Sequence, residues 1–263
     1  MKDMLDEIIS YKKIEVADKK QLIPIKQLER IIEQDPKEHH SLKEALQCSD
    51  SGIISEFKRK SPSKGWINQE ADAISITTGY EKNGATALSV LTDSKFFGGT
   101  LNDLREVRKS VSIPIMRKEF IIDEYQIYEA SSVGADAILL IAACITKDES
   151  RRFTKIAHSL KMDVLLELHD EKEIDYISES NLLIGINNRN LGTFVTDVEK
   201  SFKMINLLPR EAVLVSESGI SSPQLVKDLR EAGYKGFLIG ENFMKTANPG
   251  DSLGTFISQI KSL

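Results

Sequence analysis

Residues 136–141 read Asp-Ala-Ile-Leu-Leu-Ile, a short apolar run without the alternation of polar and apolar residues that marks a half-exposed strand. A strand buried on both faces of a parallel sheet has this pattern. Seven further runs rich in Ile, Val and Leu share it, at residues 52–57, 85–91, 113–116, 164–168, 182–186, 212–215 and 236–239. The sequence therefore predicts eight parallel strands.

The segments between these runs have helical periodicity and signals that start helices. Asp123, Thr146 and the Ser-Ser-Pro at residues 221–223 each precede apolar residues at helical spacing. Ser, Thr and Asp are good N-caps, and Pro is favoured in a first turn. The repeated strand–helix cycle predicts a (β/α)8 TIM barrel of the α/β class. A doubly wound open sheet is the alternative, but no Gly-x-Gly-x-x-Gly turn follows the first run.

Residues 1–50 do not belong to this cycle. They are predicted to form an N-terminal helical extension, whereas residues 51–263 form the barrel of a single structural domain. One helix is expected around the apolar stripe that starts at Met4 and Leu5, and others around residues 28–32 and 41–46. These helices could plug the bottom of the barrel or cap its active-site mouth, and the sequence leaves both arrangements open.

Composition excludes several classes of function. The chain has 263 residues with 35 Lys and Arg against 40 Asp and Glu, so its net charge of −5 does not suggest a nucleic-acid partner. Cys48 and Cys144 lie far apart and have no neighbours at metal-binding spacing, which fits a reducing compartment. The first residues are acidic where a signal peptide is basic, and no apolar run approaches the roughly 20 residues of a membrane span. We therefore expect a cytoplasmic protein with no membrane partner.

Polar residues directly follow several of the apolar runs. They therefore lie at the C-terminal ends of the predicted strands, where the active site of a barrel lies. Residues two apart on a strand point to the same side, so Glu56 and Lys58 should share a face, and so should Asn187 and Arg189. Any single charged residue here could be an ion pair that ties a loop to the rim. Several converging at one mouth favour a catalytic site, since charged groups are rarely buried without purpose. The strand ends are Glu56-Phe57-Lys58, Arg117-Lys118-Glu119, Glu167-Leu168-His169, Asn187-Asn188-Arg189 and Ser216-Glu217-Ser218-Gly219.

A phosphate site is predicted separately. Gly219 follows the seventh run, and Gly240 with Glu241 follows the eighth. Glycines at these positions, with free backbone N–H groups and a short helix N-terminus, form the usual phosphate cradle of this fold. The basic loop over residues 59–66, which carries Trp66, is expected to be a lid that attracts an anion.

The same residues resemble a known family. Residues 54–65, Ile-Ser-Glu-Phe-Lys-Arg-Lys-Ser-Pro-Ser-Lys-Gly, resemble the signature of indole-3-glycerol phosphate synthase, the ring-closing enzyme of tryptophan biosynthesis. Further resemblance runs along the chain, at residues 5–20, 89–93, 96–99, 117–121, 166–169, 185–191, 216–220 and 238–241. The resemblance implies a carboxy-lyase that acts on 1-(2-carboxyphenylamino)-1-deoxyribulose 5-phosphate, a small phosphorylated anthranilate-derived substrate. It implies no metal and no organic cofactor.

The resemblance also implies a role for each matching residue. Lys118 matches the general acid of ring closure. Lys58, Glu167 and Glu56 match the groups that serve the later acid and base steps. The resemblance does not decide which of the two glutamates is the base. The other matches are Asn187, Ser218 and Glu217 in the polar shell; Ser61 and Arg189 near the anthranilate carboxylate; Phe120 and Leu139 against the aromatic ring; and Gly219, Gly240 and Glu241 at the phosphate.

Two residues differ from the usual family motif, and two alternative functions have to be considered. Glu119 stands where the family more often has Asp, and Phe57 replaces a commoner aliphatic residue and should point outward. Phosphoribosylanthranilate isomerase is a rival barrel, but its Cys/Asp chemistry needs a cysteine at a strand end. A catalytically silent barrel is the other rival, and it would be expected to lose Lys58 and Lys118 first. Without an obvious exposed apolar stripe, we expect a monomer.

Overall fold

The computed structural model describes residues 4–190 and 192–263. Leu191, the last residue of the motif over residues 185–191, lies outside the described residues, as do residues 1–3.

Within the described residues, eight parallel strands form a closed barrel. They are β1 (Ile53–Phe57), β2 (Ala87–Leu91), β3 (Ile115–Lys118), β4 (Ala137–Ile141), β5 (Asp163–Leu168), β6 (Leu183–Asn187), β7 (Val213–Glu217) and β8 (Gly236–Ile239). Strand β1 pairs in parallel with β2 on one side and with β8 on the other, which closes the barrel. The predicted (β/α)8 barrel is confirmed, and the open doubly wound sheet is excluded.

Helices precede the barrel and connect its strands. They are α1 (Met4–Leu22), α2 (Ile25–Gln34), α3 (Leu42–Cys48), α4 (Ala73–Lys82), α5 (Ser94–Phe97), α6 (Leu101–Arg108), α7 (Tyr125–Ser132), α8 (Lys147–Ser159), α9 (Glu199–Met204), α10 (Pro223–Ala232), α11 (Glu241–Met244) and α12 (Pro249–Lys261). Short 3₁₀ turns occupy Ala142–Cys144, Glu171–Tyr176 and Ile205–Leu207. None of the helices in the part of the chain that the structure describes is long and apolar enough to cross a membrane.

The strands are buried on both faces, and alternate residues face different apolar layers. In β1, Ile54 belongs to a cluster inside the barrel, while Ile53 and Phe57 belong to the larger cluster between the strands and the surrounding helices. Phe57 therefore points outward, as predicted. Because Glu56 is two residues from Ile54, its side chain points into the barrel. The same alternation directs Lys118 of β3 inward and Arg117 outward.

Helix α3 closes the bottom of the barrel. Its Leu42 and Leu46 are fully buried and pack into the interior cluster. The helix is fixed by its N-terminal end, where Ser41 Oγ donates to Asp163 at the start of β5 over 2.8 Å. Just before it, the His40 backbone N–H donates to Asp136, which precedes β4. The expectation of a plug is right for α3.

Helix α1 lies at the opposite end, against the loops that follow β2 and β3. Lys12 is fully buried there, with its Nζ 2.8 Å from Asp93 and 3.0 Å from Glu119. Both of these carboxylates border the cavity at the C-terminal ends of the strands. Helix α1 therefore lies beside the rim of the cavity, but none of its described residues lines the cavity, so a cap over the active-site mouth stays a prediction.

Candidate active site

A cavity of about 300 Å³ opens at the C-terminal ends of the barrel strands. It is lined by every residue predicted for the site except Glu217, which is fully buried behind Lys118. The predicted residues that line it are Glu56, Lys58, Ser61, Lys118, Phe120, Leu139, Glu167, Asn187, Arg189, Ser218, Gly219, Gly240 and Glu241. The fold thus gathers residues from distant parts of the sequence into one space.

Lys118 stands at the centre of the charged groups. Its Nζ lies 2.8 Å from Glu217, 3.5 Å from Glu56 and 4.0 Å from Glu167. Burial by itself would lower the pKa of Lys118, but the surrounding carboxylates outweigh burial and raise it. The side chain is therefore an ammonium group, and it lines the cavity.

Glu56 and Lys58 share a face at the end of β1, as predicted. The Lys58 Nζ lies 2.6 Å from Glu56 Oε1. Burial would raise the pKa of Glu56, but the ammonium groups of Lys58 and Lys118 lower it, so Glu56 is a carboxylate. Gly240 makes room for this pair, because a Cβ atom at that position would lie 2.5 Å from Glu56 Oε1.

Glu167 and Glu217 are neighbouring carboxyl groups whose pKa values are shifted in opposite directions. Burial and the neighbouring charge of Glu167 raise the pKa of Glu217, although Lys118 opposes them. Burial would also raise the pKa of Glu167, but His169 and Lys118 outweigh it and lower this pKa. Like charges this close cannot both form easily, so Glu217 holds a proton over a wider pH range while Glu167 is ionised.

Unpartnered polar atoms face the rim of the cavity. Ser61 Oγ and Arg189 Nε are buried and have no hydrogen-bond partner within the described residues. Buried polar atoms normally find a partner, so both are available to a ligand. The Arg189 backbone N–H donates to Asn187 Oδ1 over 3.0 Å, which fixes this end of β6.

The predicted lid has a fixed base. The pairs Lys60–Ser61 and Gly65–Trp66 form a small antiparallel hairpin beside the mouth. Just before it, the Arg59 guanidinium donates to both carboxylate oxygens of Asp103, over 2.7 and 2.8 Å. Pro62 and Ser63 at the hairpin's tip line the cavity. Closure of this loop as a lid stays a prediction.

The predicted phosphate cradle lies at one side of the cavity. Ser218 and Gly219 both have positive φ, 67° and 78°, so the chain turns sharply after β7. A side chain at Gly219 would meet Thr196 at 2.6 Å. Helix α11 begins at Glu241, and the N–H groups of a first helical turn have no acceptor inside the helix. Gly219, Gly240 and Glu241 all line the cavity, and their binding of a phosphate stays a prediction.

Several residues of the site were not found from the sequence. Lys245, just after α11, lines the cavity at its phosphate side, and its position a turn beyond Gly240 was the available signal. Phe194 lines the cavity from the loop after β6 with a positive φ of 59°, which no sequence pattern indicates. Gly185 is the first residue of the motif over residues 185–191. A Cβ atom there would lie 2.3 Å from Glu217 Oε1, so this glycine lets Glu217 lie inside the barrel.

An ammonium group held among carboxylates at the mouth of a closed barrel defines an acid–base enzyme of the (β/α)8 class. Comparison with known proteins gives the family. Residues 5–256 match the family described as "Indole-3-glycerol phosphate synthase". A protein of that name from Bacteroides thetaiotaomicron is 56% identical over 261 residues, covering 99% of this chain and 100% of the relative. The chain belongs to the indole-3-glycerol phosphate synthase family, as the motifs predicted.

A second relative agrees with this assignment, and solved structures share the fold. The indole-3-glycerol phosphate synthase of Thermoanaerobacter pseudethanolicus is 42% identical over 259 residues, covering 98% of each chain. Among solved structures, tryptophan synthase subunit alpha from Legionella pneumophila is similar with a TM-score of 0.62 and 13% identity, covering 86% of this chain and 98% of that one. A tryptophan synthase chain from Pyrococcus furiosus has a TM-score of 0.60 at 13% identity, covering 81% and 99%. At this identity the two structures show the shared barrel fold alone.

Proposed function

We propose that this chain closes the indole ring of indole-3-glycerol phosphate. The substrate is 1-(2-carboxyphenylamino)-1-deoxyribulose 5-phosphate, and the other products are CO₂ and water. The observation that carries the proposal is the placement of Lys118 among Glu56, Glu167 and Glu217 in a cavity that also holds Lys58. These groups supply the proton donors and acceptors that the ring closure and the dehydration need.

Ring closure comes first. The aromatic carbon that carries the carboxylate attacks the substrate ketone, and Lys118 donates a proton to the ketone oxygen as the new C–C bond forms. A proton held beside the developing oxyanion stabilises the transition state. The carboxylate then leaves the ring carbon as CO₂, and the electrons of the broken bond restore the aromatic ring.

Dehydration completes the product. Lys58 donates a proton to the new hydroxyl group, which leaves as water, and a carboxylate removes one proton from the forming five-membered ring. Two protons are given and one is taken, so one proton is consumed for each ionised substrate carboxylate lost as CO₂. Glu167 and Glu56 are the candidate bases, and Asn187, Ser218 and Glu217 keep the surroundings polar.

Binding uses the remaining predicted residues. The unpartnered Arg189 Nε and Ser61 Oγ orient the anthranilate carboxylate. Phe120 and Leu139 pack against the aromatic ring, and the Phe120 ring lies 6.0 Å from that of Phe97 on the same wall. The phosphate takes backbone N–H groups at Gly219, Gly240 and Glu241. No metal or organic cofactor enters any step.

The domain organisation, the location and the oligomeric state of the protein are proposed here as well. We propose that residues 1–50 and the barrel over residues 51–263 form one structural domain, supported by the burial of Leu42 and Leu46 inside the barrel. A cytoplasmic location is supported by Cys48 and Cys144, which are both free thiols. A monomer is supported by the large exposed apolar side chains, which are spread over α1, α2, α4 and several loops.

The test is a direct assay of the purified protein with this substrate in the presence of EDTA. Indole fluorescence should appear together with an equal amount of CO₂. Release of CO₂ without fluorescence, or consumption of substrate without either product, would contradict the proposal. The isomerase rival predicts no CO₂, and the silent-barrel rival predicts binding without turnover.

A further inference from the structure

Lys12 of α1 is a fully buried cation that the proposed reaction does not use. Its Nζ lies 2.8 Å from Asp93 Oδ2, 3.0 Å from Glu119 Oε1 and 2.9 Å from Glu15 Oε2. Burial would lower the pKa of Lys12, but Glu119 and Asp93 outweigh burial and raise it, so the side chain is an ammonium group. Lys12 is not among the described residues that line the cavity, so it acts on a ligand there only through its partners.

Asp93 fixes the loop that follows β2. Its Oδ1 accepts the Phe96 backbone N–H over 2.7 Å and so caps the N-terminus of α5. Its backbone carbonyl oxygen accepts the N–H of Gly99 over 2.9 Å, so one residue holds both ends of this turn. Phe97, the last residue of α5, lines the cavity. The position of the Phe97 ring therefore depends on where Asp93 is held.

Glu119 fixes the loop that follows β3. Its Oε1, the oxygen nearest to Lys12, accepts the Phe120 backbone N–H over 2.9 Å. Its Oε2 accepts a hydrogen bond from the hydroxyl group of Thr92 over 2.9 Å. Phe120 lines the cavity beside Phe97. The position of the Phe120 ring therefore depends on where Glu119 is held.

The Phe97 and Phe120 rings form one wall of the cavity, which we call the aromatic wall. Their centroids are 6.0 Å apart and their planes are tilted by 37°. Aromatic rings at such separations offer their edges and faces to a further ring, so the wall suits a flat aromatic ligand.

The two loops that carry the aromatic wall would repel each other without a shared cation. Asp93 and Glu119 are both buried, and like charges repel strongly where water does not screen them. Arg117 lies 3.6 Å from Glu119, but its hydrogen bonds go to Thr92, the Gln126 carbonyl oxygen and Glu129. Lys12 is the cation that contacts both Asp93 and Glu119.

We propose that Lys12 is a positioning residue that sets the aromatic wall for the ring of the substrate. It neutralises Asp93 and Glu119 together, which holds Phe97 and Phe120 at the separation that receives a flat ring. The proton transfers are spared, because Lys12 shares none of its three carboxylate partners with Lys118. The identity of the ring as anthranilate rests on the proposed function, whereas the preference of the wall for an aromatic group is a property of the free protein.

The test is calorimetric binding of two probes to the wild type and to Lys12→Met, which keeps an unbranched side chain but removes the charge. One probe is the substrate with its ketone reduced to an alcohol, which cannot close the ring. The other is ribitol 5-phosphate, which lacks the aromatic ring. Lys12→Met should bind the reduced substrate about tenfold more weakly and ribitol 5-phosphate within about twofold of wild type. Lys13→Met, at the exposed neighbouring lysine of α1, is the matched control and should bind both probes as the wild type does.

Turnover gives a second readout of the same variants. In Lys12→Met, KM should rise about tenfold while kcat falls less than about threefold, because binding of the ring is lost and the acid and base groups stay in place. Partial unfolding would instead lower the apparent kcat and the number of binding sites, with no change in KM or in the affinity of each site.

Two further variants keep the inference testable where Lys12→Met folds poorly. Lys12→Gln donates hydrogen bonds to a carboxylate but carries no charge, and it should show the same selective loss of affinity for the reduced substrate. Adding Glu119→Gln to Lys12→Met removes the repulsion, and the new side-chain oxygen still accepts the Phe120 N–H. Affinity for the reduced substrate should then return to within about threefold of wild type.

Equal weakening of both probes would indicate a merely structural role and overturn the inference. Unchanged affinity of both Lys12 variants for the reduced substrate would overturn it as well, and so would a double variant that binds no better than Lys12→Met. The proposed function fails separately: a wild type that binds the reduced substrate and loses this affinity with Lys12, but turns no substrate over, contradicts the function and supports the inference.

Discussion

Arg117 and Lys118 are neighbours on β3, but they belong to two different clusters of charge. Arg117 points outward and is 1% exposed; it donates to Thr92 over 3.0 Å, to the Gln126 carbonyl oxygen over 2.7 Å and to Glu129 over 3.2 Å. Lys118 points inward to the carboxylates of the cavity. The side-chain alternation of one strand thus separates two networks of similar composition.

The difference between the clusters lies in what their cations can do. A guanidinium does not lose its proton in proteins and holds its partners in a fixed fork, which suits a permanent connection between β3 and α7. An ammonium can give up a proton and move on a flexible stem. Buried charge alone therefore does not mark an active site; a cation that can release its proton into the cavity does.

The largest expected effect is on the inner cluster. Lys118→Ala should lower kcat by about 10³–10⁴-fold, because it removes the proton donor of ring closure. Fluorescence of the indole product measures the rate, and calorimetry with a non-reactive substrate analogue should show binding close to wild type. Lys118→Arg is the matched control: it keeps the charge but cannot donate the proton, so it should be nearly as slow. Near-wild-type activity in either variant would refute the assignment of the acid.

The outer cluster should respond in the opposite way. Arg117→Met removes the buried cation beside Glu129 and leaves Glu119 with Lys12 alone, which should lower the free energy of unfolding by about 3–5 kcal/mol. Urea denaturation measures the loss, and the folded fraction should keep kcat within a few-fold of wild type. Adding Glu129→Gln to Arg117→Met should recover part of the stability. A large fall in kcat with little change in stability would mean that the outer cluster also serves catalysis, and the distinction between the two clusters would be wrong.

A smaller effect is expected where the backbone makes room for the inner cluster. Gly240→Ala would bring a Cβ atom to 2.5 Å from Glu56 Oε1 and displace the carboxylate from Lys58. Displacement of a catalytic group by about an ångström should lower kcat about 10–100-fold. Gly79→Ala in α4 is the control, since its Cβ would meet only an ordinary contact at 3.6 Å. Equal activity of the two variants would mean that the position of Glu56 is unimportant.

The smallest effect concerns the pair at the base of the predicted lid. Burial would raise the pKa of Asp103, but Arg59 and Thr100 lower it. A lowered pKa adds stability above the ordinary pKa of Asp, near 4, and this stability is lost as the pH falls through the folded-state value. Asp103→Asn should cost about 1 kcal/mol at pH 7 and progressively less below about pH 4. Asp18→Asn, at an exposed position of α1, is the matched control and should change thermal unfolding by less than Asp103→Asn does.

The fold was readable from the sequence because buried strands carry their own signal. The run at residues 136–141 corresponds to β4 (Ala137–Ile141) with a difference of one residue. The prediction was less accurate at strand ends: the run at residues 113–116 corresponds to β3 (Ile115–Lys118), which starts after Pro114 and continues through charged residues. Backbone pairing continues regardless of side-chain polarity, whereas an apolar pattern stops at the first charge.

The site was readable in part, because strand ends converge in a barrel. The positions of Lys118 and Glu56 follow from that rule alone. The contact of His169 with Glu167 does not, since it depends on side-chain rotamers and on Glu173 in the following 3₁₀ turn. Phe194 enters the cavity through an irregular loop with a left-handed residue. Such features depend on the tertiary structure and leave no periodic trace in the sequence.

The closure of the barrel by β1 and β8 has a consequence for how the protein is made. Ile53 pairs with Phe237, so the first strand has an open hydrogen-bonding edge until β8 has been synthesised. At about 5–20 residues per second, that wait lasts roughly ten seconds or more. Leu46 packs beside Val215 and Gly236, so the apolar face of α3 also has no packing partner until β7 and β8 have been synthesised. The nascent N-terminal part therefore exposes an unpaired strand edge during this time, and exposed strand edges invite aggregation.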